Sequence, residues 1–88
     1  MAKIHDLKIL TQHFVDVKSG RKKAELRKND RDFAVGDMLI LREWTGTEYT
    51  GRRVIVKITH ILQNCGFGLA DDYVILSITL YRGQKCQN

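Results

Sequence analysis

Apolar and polar positions alternate along most of this chain, and the period of the alternation changes once, near the start. Ile4 to Leu10 is a short apolar-rich run that reads as a first strand. Phe14 and Val17 then stand three apart, with Val15 at the margin, which is the spacing of one helical face. A helix over residues 12–19 is expected, with the Thr11 hydroxyl placed to accept from a free backbone N–H at its start. Lys18 suits the negative end of the helix dipole, and Gly20 sits where a left-handed stop residue belongs. Residues 22–28 return to period two, with Ala24 and Leu26 facing one way and Lys23, Glu25 and Arg27 the other.

Asn29-Asp30-Arg31-Asp32 and Val35-Gly36-Asp37 carry the residue types of tight turns. Met38 to Trp44 is a strand apolar on both faces at its start, which places it centrally in a sheet. Thr45 to Gly51 reads as a polar hairpin loop. Arg53 to Leu62 is a long β-branched run, with Val54, Val56 and Ile58 on one face, His60 in the same phase, and Ile55 and Ile61 on the other. Gly66-Phe67-Gly68 breaks it, Tyr73 to Tyr81 forms the last strand, and Arg82 to Asn88 is a polar tail of the kind that frays. About five to six strands with one early helix and no proline predict a mixed α+β, mainly β, small barrel, with residues 1–88 as a single domain.

Composition narrows this little. A chain of 88 residues buries roughly 60–65% of the surface it exposes when unfolded, enough for one modest core. Hydrophobic residues at 43% and charged residues at 28% argue against disorder. No apolar run approaches the roughly 18 residues needed to cross a membrane, and the start of the chain has no apolar stretch with a cleavage site, so a cytoplasmic address is expected. Cys65 and Cys86 belong to no CxxC motif and His5, His13 and His60 are scattered, so neither a metal site nor a cofactor is implied, and reduced thiols are expected.

The net charge of +5 has a location. Lys18, Arg21, Lys22, Lys23, Arg27, Lys28 and Arg31, opposed only by Glu25 and Asp30, supply the whole excess. A local patch of this kind suits an anionic ligand or a nucleic-acid backbone, and from charge alone a solvated loop fits equally well. Within the patch, Gly20 to Arg27 has the form G-x-K-x-x-E-x-R. On a strand, Glu25 and Arg27 share a face and can pair, which would orient the guanidinium fork for a phosphate or a base edge. Lys22, at the turn, would add a mobile positive charge.

This octet resembles the motif of the ASCH superfamily. The resemblance extends through His5-Asp6-Leu7-Lys8-Ile9, Arg27 to Phe33, Val35-Gly36-Asp37, Leu41-Arg42-Glu43-Trp44 and Tyr49-Thr50-Gly51-Arg52, over roughly residues 4 to 80. The chain looks like a small branch of that superfamily, found in bacteria and bacteriophages. The resemblance implies a barrel related to the RNA-binding PUA domains, with a cleft between helix and barrel. Lys22, Glu25 and Arg27 would line that cleft, with Arg21, His5, Asn29, Asp30 and Arg31 as neighbours. Plainer roles compete at several of these positions. A Glu–Arg pair often only pins a strand, Asn29 to Asp32 can serve only as turn residues, and His5 and His60 can be packed.

Two functions follow. The first is a module that binds RNA or a nucleotide-containing ligand in the basic cleft. The alternative is a small hydrolase acting on a modified nucleoside or on RNA, with Glu25 as general base and Lys22 stabilising an oxyanion. ASCH amidohydrolases that act on N4-acetylcytidine carry a nucleophilic Thr three positions after the motif Lys. That position is Glu25 here, so their reaction does not transfer residue by residue. A protein-interaction role is a third class, with nothing specific to support it, and the oligomeric state is open. Trp44 and Tyr49 could form a stacking edge beside Arg52 and Arg53, or a cross-strand pair that holds the hairpin, and the pair is the preferred reading.

Overall fold

A computed structural model describes residues 2–63 and 72–81. The Gly66-Phe67-Gly68 break, Cys65, Cys86 and the tail at 82–88 lie outside them. The element order is β1 (Ile4–Leu10), α1 (Thr11–Lys18), β2 (Ala24–Lys28), β3 (Met38–Trp44), β4 (Tyr49–Leu62) and β5 (Tyr73–Leu80).

All five strands form one mixed sheet in the order β1-β3-β4-β5-β2, with β1 parallel to β3 and the other pairs antiparallel. The sheet curls into a half-barrel around the early helix. The mainly β architecture expected from the alternation is what forms, with β3 central as its two apolar faces required. The curl stops short of closure, because β1 and β2 are its two edge strands and do not pair.

Alternation decides the core. Leu7 and Ile9 of β1, Leu39 and Leu41 of β3, Val54, Val56 and Ile58 of β4, and Val74, Leu76 and Ile78 of β5 are buried on the concave face. Phe14 and Val17 of α1 pack into the same cluster. Each fully buried side chain of this size contributes roughly 1.5–3 kcal/mol relative to exposure. The helix follows β1 with no loop. Leu10, still extended, occupies the capping position, and there is no side-chain cap. Thr11 is therefore the first helical residue rather than the cap, and its hydroxyl bonds Glu43 instead. Ser19 and Gly20 return N–H groups to the Val15 and Val17 carbonyls, and Gly20 adopts φ +86°, the left-handed stop its position required.

Two irregularities in β4 correct the strict alternation. Between the pairs Arg42–Arg53 and Trp44–Tyr49, Thr50-Gly51-Arg52 stands opposite the single residue Glu43, with Gly51 at φ +94°. The strand thus begins at Tyr49, four residues before the β-branched run, and the glycine that reads as a loop residue belongs to a bulge. A second shift falls between Ile58 and His60. His60 consequently leaves the phase of Val56 and Ile58 and is exposed, whereas Ile61 turns inward against the core. The expected packing role of His60 is overturned by one extra residue.

Two buried carboxylates tie the sheet together. Asp37, 1% exposed, accepts from the backbone N–H of Lys3 (2.9 Å) and Ala34 (3.1 Å) and from His5 Nε2 (2.8 Å), joining the starts of β1 and β3 to the preceding turn. Glu43, also 1% exposed, accepts from Thr50 Oγ1 (2.6 Å) and from Arg52 Nε and Nη2 (2.6 and 2.8 Å). For each carboxyl burial acts upward, but the donors more than offset it and hold the group below its ordinary value. For Asp37 these are the Lys3 N–H, His5 and the Ala34 N–H; for Glu43 they are Arg52, Thr50 and Thr11.

A folded-state value below the unfolded one gives stability that is complete above the ordinary carboxylate range, about pH 4, and is lost as pH falls through the folded value. Thermal unfolding followed by circular dichroism should show the melting temperature dropping below about pH 4. Asp37→Asn and Glu43→Gln should each lose about 1–3 kcal/mol at pH 7 and show a shallower acid-side decline than the parent. An equally steep decline in both variants would contradict this assignment.

Candidate functional site

The open edge of the half-barrel is where the motif residues collect. β2 pairs with β5 so that Glu25 lies opposite Leu76 and Arg27 opposite Val74. Strand parity therefore sends both charged side chains to the concave face, while Leu26 points outward and is 58% exposed. A charged inner face is tolerable here because no further strand covers this edge. The turn at Gly20 sets up the approach, with Lys22 N–H bonded to the Asp16 carbonyl at 3.0 Å and the Lys23 carbonyl accepting from Ile78 at 2.9 Å.

Lys22, Glu25 and Arg27 converge. Glu25 is 7% exposed, with Oε1 3.1 Å from Lys22 Nζ and Oε2 accepting from Arg27 Nε at 3.0 Å. Lys22 Nζ also donates to the Ala24 carbonyl. Arg27 Nη2 lies 2.9 Å from Glu25 Oε2 and donates to the Lys8 carbonyl at 2.6 Å. That last bond crosses from β2 to β1, so a side chain spans the seam that backbone pairing leaves open. The triad holds two cations and one anion, a net positive charge, and the Arg27 Nη1 amine makes no hydrogen bond among the described residues.

Beside the triad is a hollow of about 300 Å³ along the seam. Its lining includes Lys8, His13, Glu25, Arg27, Lys28 and Tyr73. A second depression of about 360 Å³ lies at the end of the helix, with Lys22 and Lys23 over an apolar floor of Val17, Val56 and Ile78. The triad thus stands at the boundary of two openings.

The other residues singled out in the sequence lie elsewhere. Arg21 pairs with Asp16 at 3.1 Å on the exposed side of the helix end. His5 is buried against Asp37 and meets the Phe33 ring edge-on, centroids 4.8 Å apart. Asn29 donates its N–H to the Asp72 carbonyl at 2.7 Å, and Asp30 closes the turn to Lys28. Arg31 reaches the Asp6 carbonyl at 3.2 Å and Asp30 at 3.8 Å. Sequence reasoning passed over His13 and Tyr73 as parts of the site. Neither belongs to the octet, and only the curl brings the helix start and the β5 start to the same seam. Among the described residues, no three His, Cys, Asp or Glu side chains group closely enough to hold a metal. No helix among them is long and apolar enough to cross a membrane.

Residues 4–78 match the family model of a domain of unknown function, DUF3850. The chain is also 43% identical over 76 residues to an uncharacterized 12.9 kDa protein in the GpA 3′ region of Escherichia phage P2, an alignment covering 86% of this chain and 68% of that protein. The family match takes in β1, the helix, the whole octet and most of β5, so the seam and its triad lie within it, and the chain belongs to the DUF3850 family.

Proposed function

We propose that the protein is an ASCH-type, PUA-like module of the cytoplasm that binds RNA or a nucleotide-containing ligand at the seam. The observation that carries this reading is the state of Arg27. Its guanidinium is fixed by Glu25 on one side and by the Lys8 carbonyl on the other, and its Nη1 amine makes no hydrogen bond among the described residues. A guanidinium held in this way recognises a planar anion or phosphate with little further ordering. His13 and Lys28 add positive or hydrogen-bonding groups to the same hollow, and Tyr73, opposite Lys28 across β2 and β5, offers a ring on which a base can stack. At about 300 Å³ the hollow falls at the small end of ligand sites, which suits one nucleotide rather than a folded RNA.

The resemblance of Gly20 to Arg27 to the ASCH motif supports the same reading from the sequence side. Nothing in the triad favours the hydrolytic alternative, because each oxygen of Glu25 is already held by a cation.

Titration of the full chain with nucleoside 5′-monophosphates, followed by amide chemical shifts, should perturb His13, Arg27, Lys28 and Tyr73 first. The double variant His13→Ala with Lys28→Ala leaves the triad in place and should weaken binding about tenfold. Affinity should also fall as salt rises. Shifts confined to other surfaces, or unchanged affinity in the double variant, would defeat the proposal.

A further inference from the structure

The outer, convex face of the sheet carries a second cluster, which meets the seam only at Lys8. The parallel register sets Lys8 opposite Arg42, and the antiparallel register sets Arg42 opposite Arg53. Three cations therefore stand in one row across β1, β3 and β4, within about 10 Å at ordinary strand spacing. Like charges directly opposite one another in a sheet repel. Asp6 relieves this for Arg42, whose Nε donates to both carboxylate oxygens at 2.7 and 2.9 Å. The exposed Arg53 side chain makes no ion pair or hydrogen bond among the described residues, and its charge meets only the longer-range field of Asp6, whose carboxyl Arg42 chiefly holds below its ordinary value. The row is electrostatically unfinished.

Next to it in the register is an aromatic pair. Trp44 lies opposite Tyr49 with ring centroids 4.9 Å apart, edge to face. The Lys8 ammonium sits 4.3 Å from the centre of the Trp44 ring. Tyr49 is 51% exposed and borders a hollow of about 340 Å³ lined also by Arg42, Gly51 and Arg52. The cations and the exposed ring are independent observations, one a property of β-sheet register and the other of the bulge that brings Tyr49 back opposite Trp44.

We infer that this outer face binds single-stranded nucleic acid, with backbone phosphates along the Lys8–Arg42–Arg53 row and a base stacked on Tyr49 in the hollow between Arg42 and Arg52. Unpaired positive charge selects a polyanion, and an open aromatic surface selects one whose bases are free to leave their own stack. A duplex satisfies only the first condition. An acidic protein surface would use the cations and leave the ring idle.

Trp44 is the single tryptophan of the chain, so its emission reports directly on this face. Titration of a labelled oligouridylate about ten nucleotides long into the full chain should quench Trp44 saturably, in step with the anisotropy of the label. Arg53→Ala removes a side chain that makes no ion pair or hydrogen bond among the described residues and should weaken both signals about fivefold and lower the salt slope by about 0.7. Arg53→Lys should restore most of the binding. The double variant His13→Ala with Lys28→Ala at the seam should leave the Trp44 quench unchanged, which keeps this surface separable from the seam. Binding without any change in Trp44 emission, or Arg53→Ala binding like the parent, would overturn the inference. So would quenching as strong with a duplex of equal length.

Discussion

The β1–β2 seam is the constraint from which the rest of the molecule follows. In the strand order β1-β3-β4-β5-β2, the first strand and the motif strand end up at opposite edges of one sheet. Curling brings those edges toward each other, yet no backbone ladder joins them. A seam lined by apolar side chains would expose its core to water. Here β2 turns Glu25 and Arg27 inward, and Arg27 hydrogen-bonds across to the Lys8 carbonyl. A charged group in that position needs partners to compensate its desolvation, and Lys22 with Glu25 supplies them. The result is a fastening that is polar, partly accessible and incompletely spent, which is also the description of an anion site.

The same economy appears at the two other polar knots. Asp37 and Glu43 are buried and fully engaged, each fastening a place where the regular ladder stops: Asp37 the turn at Ala34 and the chain entering β1, Glu43 the bulge at Thr50 to Arg52. They differ from the seam triad in one respect that bears on function. Among the described residues, neither carboxylate lines the seam hollow, the depression at the helix end or the hollow beside Tyr49, whereas Glu25 and Arg27 line the first of these. Burial with full satisfaction marks structural polar groups, and burial beside an opening marks candidates for binding.

Much of the architecture was legible in the alternation of residue types. The strands at 4–10, 38–44 and 53–62, the early helix and its glycine stop, and the Trp44–Tyr49 pair follow from period, caps and cross-strand chemistry that act locally. The convergence of Lys22, Glu25 and Arg27 was legible too, because a turn and two same-face positions suffice to bring them together. What could not be read depends on distant pairing. The inward turn of Ile61 and outward turn of His60 come from a bulge, which alternation does not encode. Glu43 falls in the inward phase after Leu39 and Leu41, but its partners Thr50 and Arg52 lie in a stretch whose glycine reads as loop. His5 meets Asp37 only because β1 runs parallel to β3, a long-range choice. His13 and Tyr73 reach the seam only through the curl.

If the seam is fastened by side chains, loosening Arg27 should free the edges and leave the interior of the sheet alone. Native-state amide hydrogen exchange on Arg27→Met, which keeps the aliphatic stem and removes the guanidinium, tests this directly. Exchange within Ile4–Leu10 and Ala24–Lys28 should accelerate about tenfold, while the amides between β3 and β4 keep their protection. Unchanged exchange at both edges, or uniform acceleration through all five strands, would contradict the account.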